Sequence, residues 1–282
     1  MLMGLLYLLL SIISESTAKT IDKLNFRRNR IAARQMNLLL FFAMAVCLLL
    51  YLLIAKPPLP HFALVTVGLV ALIALASFGS NVFDVLSLKA DDLSLREPLL
   101  DFQPIVAGLI GYMLFPAERK PGFLLAFVLG AVIVYYGTHR RKLRRLQKKG
   151  MSYLTLAICF EAFLPSIYKV TLIHLSPFYI ALFRVLSVLV LSSLFFPPRN
   201  VPHLTSKKFG YAFLSGIVYA IGTVSSLYAI RELGVVLTML LMLLGPFLRY
   251  MSGYFILKEN VRKGEIASSF LLALVVLVPI LR

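Results

Sequence analysis

The stretch LGVVLTMLLMLLGPFLRYMSGYFI, residues 233–256, decides the fold. It is long enough to cross a bilayer as a helix, which takes about 20 apolar residues. Its middle is interrupted by Gly245-Pro246, and it carries one charge, Arg249. An earlier stretch, DLSLREPLLDFQPIVAGLIGYMLF at 92–115, is punctuated in the same way. Pro104, Gly111, Tyr112 and Gly122 match Pro246, Gly253, Tyr254 and Gly264 at a constant shift of 142 residues. A second correspondence lies nearer the start of each half. Lys19 precedes Arg34 by fifteen residues, and Lys169 precedes Arg184 by the same distance. Matches among leucines would mean little, whereas matched Pro, Gly, Lys and Arg point to an internal repeat.

The rest of the chain is of the same kind. Of 282 residues, 60% are apolar and 15% are charged, and the mean hydropathy is +0.89. Disorder needs low hydrophobicity and is excluded. A soluble enzyme of this size needs more charge at its surface. The net charge of +17 would suit a nucleic-acid partner in a polar chain; in this one it serves to orient helices in a membrane. Cys47 and Cys159 both lie in apolar runs and imply no disulfide framework.

Ten spans are predicted, near 2–22, 31–54, 62–88, 92–115, 121–137, 151–173, 177–196, 207–229, 233–256 and 262–281. The fold class is an all-α polytopic membrane protein, since lipid offers no partner to an open backbone. Met1–Ile13 imitates a signal peptide but lacks a basic start, so it is expected to remain as the first helix. The run HRRKLRRLQKK at 139–149 divides the chain into five spans and five. Five is odd, so the second copy enters the membrane in the opposite sense. The expected domains are a first five-helix repeat at 1–138, a basic cytoplasmic linker at 139–150 and a second repeat at 151–282. Inverted repeats of this sort build transporters with a site between the halves.

The second half resembles the EamA-type transporters of the drug/metabolite transporter superfamily. The resemblance rests on SPFYIALFRVLSVLVL at 176–191, LYAIRELGVVLTMLL at 227–241, GPFL at 245–248 and GYFILKENVRKGE at 253–265. The first half departs from the pattern at RRNRIAARQMNLL (27–39) and PAERKPG (116–122). The resemblance implies a ten-helix transporter of small metabolites and names no substrate.

Twenty-one of the 29 lysines and arginines fall in or beside loops after odd-numbered spans. Five lie beside the even-numbered loops or the C-terminus. The odd loops are therefore expected in the cytoplasm of a cell's inner membrane, with both termini outside. The resemblance implies the opposite orientation, with both termini inside.

Charge within the membrane is costly and marks sites or pairs. Glu161 sits near the middle of its span without a partner on its own helix, and a desolvated glutamate can carry a proton. Glu15 serves either as a second proton carrier or as a partner of Lys19, one turn on. Asp101 and Arg249 lie on corresponding spans and read either as site residues or as an ion pair. Arg184 reads as a site residue or as an anchor between its span and the one before. Lys169 reads as an end residue that snorkels, and Asp84, Arg96, Glu97 and Arg34 do the same. Pro104 and Pro246 break their spans, with Gln103 and Gly245 beside them, and free carbonyls for a solute. Tyr219 and Tyr250 are the aromatic residues expected at the cavity. Asn81, Ser80, Ser225 and Ser226 bond either a solute or neighbouring helices.

No metal-ligand spacing, phosphate loop or nucleophile elbow occurs, so no cofactor and no enzyme activity are expected. The leading expectation is a secondary transporter of small polar or charged metabolites, with proton coupling through Glu161 or Glu15. The alternative is a flippase for a lipid-linked molecule. The expected partners are a small-molecule substrate and the bilayer, with no nucleic acid, and the chain acting as monomer or homodimer.

Overall fold

A computed structural model describes residues 1–29, 32–58, 60, 63–90, 99–136, 148–195, 206–256, 267–268 and 270–276. The basic linker at 139–147 and most of the last expected span lie outside the described residues. Ten α-helices are bounded: α1 (Leu2–Asn29), α2 (Ala33–Ala55), α3 (Leu64–Ala90), α4 (Gln103–Leu114) and α5 (Pro121–Val134), then α6 (Lys148–Thr171), α7 (Pro177–Phe195), α8 (Ser206–Leu233), α9 (Val235–Met242) and α10 (Gly245–Phe255). Residues 270–276 are helical as well. No strand occurs among the described residues.

Six of these helices are long and apolar enough to cross a membrane: α1, α2, α3, α6, α7 and α8. The expected spans 92–115 and 233–256 are not single helices. Phe102 closes a turn onto Leu99 before α4 begins, and Leu243 and Leu244 close onto Leu240 and Leu241 before α10 begins. Both second pieces start with a proline in the first turn, Pro104 in α4 and Pro246 in α10. Each proline lacks the N–H that would bond the carbonyl four residues back. The helix therefore restarts at the proline, where that missing donor costs nothing.

The long helices pack in antiparallel pairs. The principal partner of α1 is α8, and that of α3 is α6. Next come α2 against α8, α4 against α6 and α9, and α7 against α2 and α3. Small residues permit the closest approach, as expected between helices in lipid. A Cβ added at Gly216 of α8 would lie 2.6 Å from the Leu40 carbonyl oxygen of α2. One apolar cluster runs through both halves and buries Phe127, Leu164, Ile180, Leu227 and Leu240 almost completely. The outside is apolar too: Leu9, Ile13, Leu53, Leu75, Leu125 and Leu194 are exposed. Such a surface suits hydrocarbon and would associate in water.

Chain order defines two faces. One carries the start of α1 and the end of α8, where Gly4 lies against Leu233; we call it the terminal face. The opposite face carries the end of α1 and the start of α8, joined by the Asn25 side-chain amide donating to the Lys208 carbonyl at 3.3 Å. The helices α1, α3, α5, α7 and α10 end toward this second face, which we call the basic face after the lysine- and arginine-rich sequence that follows most of them.

Candidate functional site

A cavity of about 420 Å³ lies between the two halves. It begins at the two helix breaks, where Leu100, Gln103 and Pro104 face Met242 and Gly245. Leu100 and Met242 are the residues whose carbonyls the two prolines deprive of a donor. From there the lining follows α1 through Glu15, Lys19 and Asp22 to Phe26. It includes Asn37 on α2 and Asn81 and Asp84 on α3. The cavity thus extends from mid-membrane toward the basic face.

Charges inside it are organised in pairs. Arg249 on α10 reaches Asp101, in the turn before α4, with its Nη2, and its Nη1 is 3.9 Å from Glu15 on α1. Asp101 is 4% exposed. It does not line the cavity itself and instead holds the arginine that does. Glu15 also accepts from Lys19, at 2.5 Å, one turn along α1. Arg184 on α7 donates from Nη2 to Glu161 on α6 at 3.1 Å and from Nε to the Ser77 hydroxyl of α3 at 3.2 Å. Its guanidinium lies 5.8 Å from the Tyr168 ring centre. Nearer the basic face, the side chains of Asn37 and Asn81 bond each other reciprocally at 2.9 and 2.8 Å. Each of these cations therefore has a carboxylate partner, the condition for keeping charge in a low-dielectric interior.

Most residues expected at the site do meet in this cavity: Glu161, Arg184, Arg249, Gln103, Tyr219, Glu15 and Pro104 all line it. Asp101 contributes through Arg249. Pro246 does not line it, although its neighbour Gly245 does. The side chain of Tyr250 lies outside the described residues. Ser226 and Asn81 line the cavity, whereas Ser80 and Ser225 are buried away from it. Two expectations need correction. Asp84 is part of the lining rather than a snorkelling end residue. Lys169 pairs with Glu118 and sits 4.4 Å from the centre of the Phe115 ring, so a partner holds it at the helix end. The sequence reading also missed Asp22 and Asn37. Both lie one or two turns from residues it did single out, on the same helix face.

The terminal face is closed by contacts between the halves. The Glu118 carboxylate accepts the Val236 backbone N–H at 2.8 Å, in the first turn of α9, and forms an ion pair with the Lys169 ammonium. It lies against Gly234, whose φ of +84° and missing side chain admit it. The Tyr179 hydroxyl donates to the Pro57 carbonyl at 3.1 Å.

A bundle with a lipid-compatible exterior and a charged, enclosed centre is a polytopic membrane protein built around a solute-sized cavity. Residues 148–281 match the EamA-like transporter family of the drug/metabolite transporter superfamily, which makes the second half an EamA-like unit. Members of that family are transporters, not enzymes. The match lends no support to the flippase alternative. Twenty-eight chains of solved structures match. One, titled "Crystal structure of protein", has a TM-score of 0.75 at 15% identity, covering 99% of this chain and 97% of that one. At that identity the likeness establishes the fold alone. No curated protein matches.

Proposed function

We propose that the chain is a secondary active transporter of small polar or charged metabolites, working by alternating access between two inverted five-helix halves. One observation carries this reading: a closed-ended cavity of about 420 Å³ at the helix breaks, lined by carboxylates and cations together. Its volume suits a small metabolite, and its mixed charge suits a solute with groups of both signs. Glu161, Arg184, Arg249, Gln103 and Tyr219 are the side chains that would hold the solute.

Two features support an inverted repeat of 1–138 and 151–282 joined through 139–150. The helix breaks before Pro104 and Pro246 correspond. The main packing pairs, α1 with α8 and α3 with α6, exchange with each other when the halves are interchanged. In this arrangement the cavity extends to the basic face and the Glu118 contacts close the terminal face. The excess of Lys and Arg supports a cytoplasmic basic face, and in this reading the cavity opens inward.

The test is a thermal-shift screen of the purified chain against pooled polar metabolites, beside Glu161→Gln. A ligand present at about 100 times its Kd stabilises the native state by about 2.7 kcal/mol. A hit lost in the variant supports the central site and supplies a solute for uptake assays. Failure of every polar metabolite to stabilise the wild-type chain counts against the reading.

A further inference from the structure

Glu15, Asp101 and Glu161 each accept from a cation within the cavity or its wall. Protonating any of them would take an anionic partner from a lysine or arginine within the bundle. Asp22 is placed differently. It lies on α1 nearly two turns beyond Glu15 toward the basic face, and it lines the same cavity. Its hydrogen-bond partner is a hydroxyl: the Ser215 Oγ of α8 donates to its Oδ1. Tyr219, also on α8, lines the same cavity. Among the described residues no lysine or arginine forms an ion pair with it. Lys19, three residues back, is committed to Glu15.

The Ser215 hydroxyl has a second acceptor within reach, the Ala18 carbonyl oxygen at 3.4 Å. This gives Asp22 two satisfied states. When Asp22 is ionised, Ser215 donates to it. When it is protonated, its own O–H donates to Ser215 Oγ, whose hydrogen turns to the Ala18 carbonyl. No buried cation loses a partner in either state and no buried polar group is left unbonded, which is the condition for reversible protonation in a low-dielectric site. The other charged or titratable groups around it are few. They are Lys19, Lys23 and Glu15 on α1, Asp84 across the cavity on α3, Arg249 on α10, and Tyr219, Tyr211 and Lys208 on α8; Arg34 lies exposed at the start of α2.

We propose that Asp22, with Ser215 as its hydroxyl relay, is the proton-binding carboxyl of this protein, loaded from the basic face through the cavity. The step is a simple association: one aqueous proton joins one carboxylate oxygen, and the neutral acid is carried while the solute site is re-exposed. Glu15 and Glu161 stay ionised as partners of their cations. The use of the proton rests on the transporter reading; its binding does not.

The experiment treats the unmodified full chain in detergent with dicyclohexylcarbodiimide, an apolar reagent that attacks protonated carboxyls, at a series of pH values. Peptide mass spectrometry locates the adduct. The expected result is a label on Asp22 that declines as pH rises and is lost in Asp22→Asn. Labelling of Glu15 or Glu161 in its place, or of no carboxyl within the spans, overturns the proposal. The wild-type measurement decides the matter even if the variant fails to fold. If Asp22 is labelled while no metabolite stabilises the chain, the transporter reading fails and the proton site stands. If metabolites bind and Asp22 is not labelled, the reverse holds.

Discussion

Arg249 joins the two halves electrostatically, and removing either end of its bond to Asp101 has an effect whose order can be worked out. Arg249→Gln withdraws the guanidinium from Asp101, which is only 4% exposed, and also from Glu15, which keeps Lys19. Breaking a buried pair from one side costs about 3–5 kcal/mol. Asp101→Asn keeps the volume and a hydrogen-bonding carbonyl, and Arg249 still has Glu15 at 3.9 Å. Its cost is expected at about 2 kcal/mol, the scale of one lost charged hydrogen bond. The double variant removes both charges, so its cost should fall short of the sum by about 1–3 kcal/mol, the usual coupling of contacting residues. The assay is reversible unfolding of the purified chain in mixed micelles with increasing dodecyl sulfate, following helix content. Equal costs for the two single variants, or strict additivity in the double, would refute the assignment of Arg249 as a charge shared between Asp101 and Glu15.

Three further outcomes are expected. Gly216→Leu brings a side chain toward α2, where the Leu40 carbonyl oxygen would lie 2.6 Å from the new Cβ; it should cost about 1–3 kcal/mol in the same unfolding assay, and an unchanged midpoint would contradict the close α2–α8 crossing. Gly234→Ala meets both an unfavourable φ of +84° and the Glu118 carboxylate; a loss of about 1–3 kcal/mol is expected, and Glu118→Ala should relieve the steric part of it. Cys159 is exposed midway along α6 and faces lipid in the membrane-spanning reading. A membrane-impermeant maleimide should therefore leave it unmodified in intact vesicles and label it after denaturation; prompt labelling in vesicles would place that part of α6 in water.

Much of this protein is determined by its sequence alone, because membrane insertion depends on composition averaged over a window. The 24 residues of 233–256 carry a single charge and read as apolar whatever surrounds them, and Pro246 has no N–H to give the carbonyl of residue 242 in any context. The same reasoning singled out Glu161, Arg184, Arg249 and Gln103 within their spans, and they line the cavity. Helix pairing is decided differently, by which small or polar faces meet, and periodicity in a uniformly apolar helix says little about that. Glu161 had no partner on its own helix, and only the packing of α7 beside α6 brings Arg184 to it. Lys169 is the end residue it looked like, and only the turn after α4 gives it Glu118 as a partner. Asp22 gave no signal in the sequence beyond its position near the end of a span. Its hydroxyl partner, Ser215, lies 193 residues away in the chain, and only the antiparallel packing of α1 on α8 makes it a carboxyl held by a donor that carries no charge.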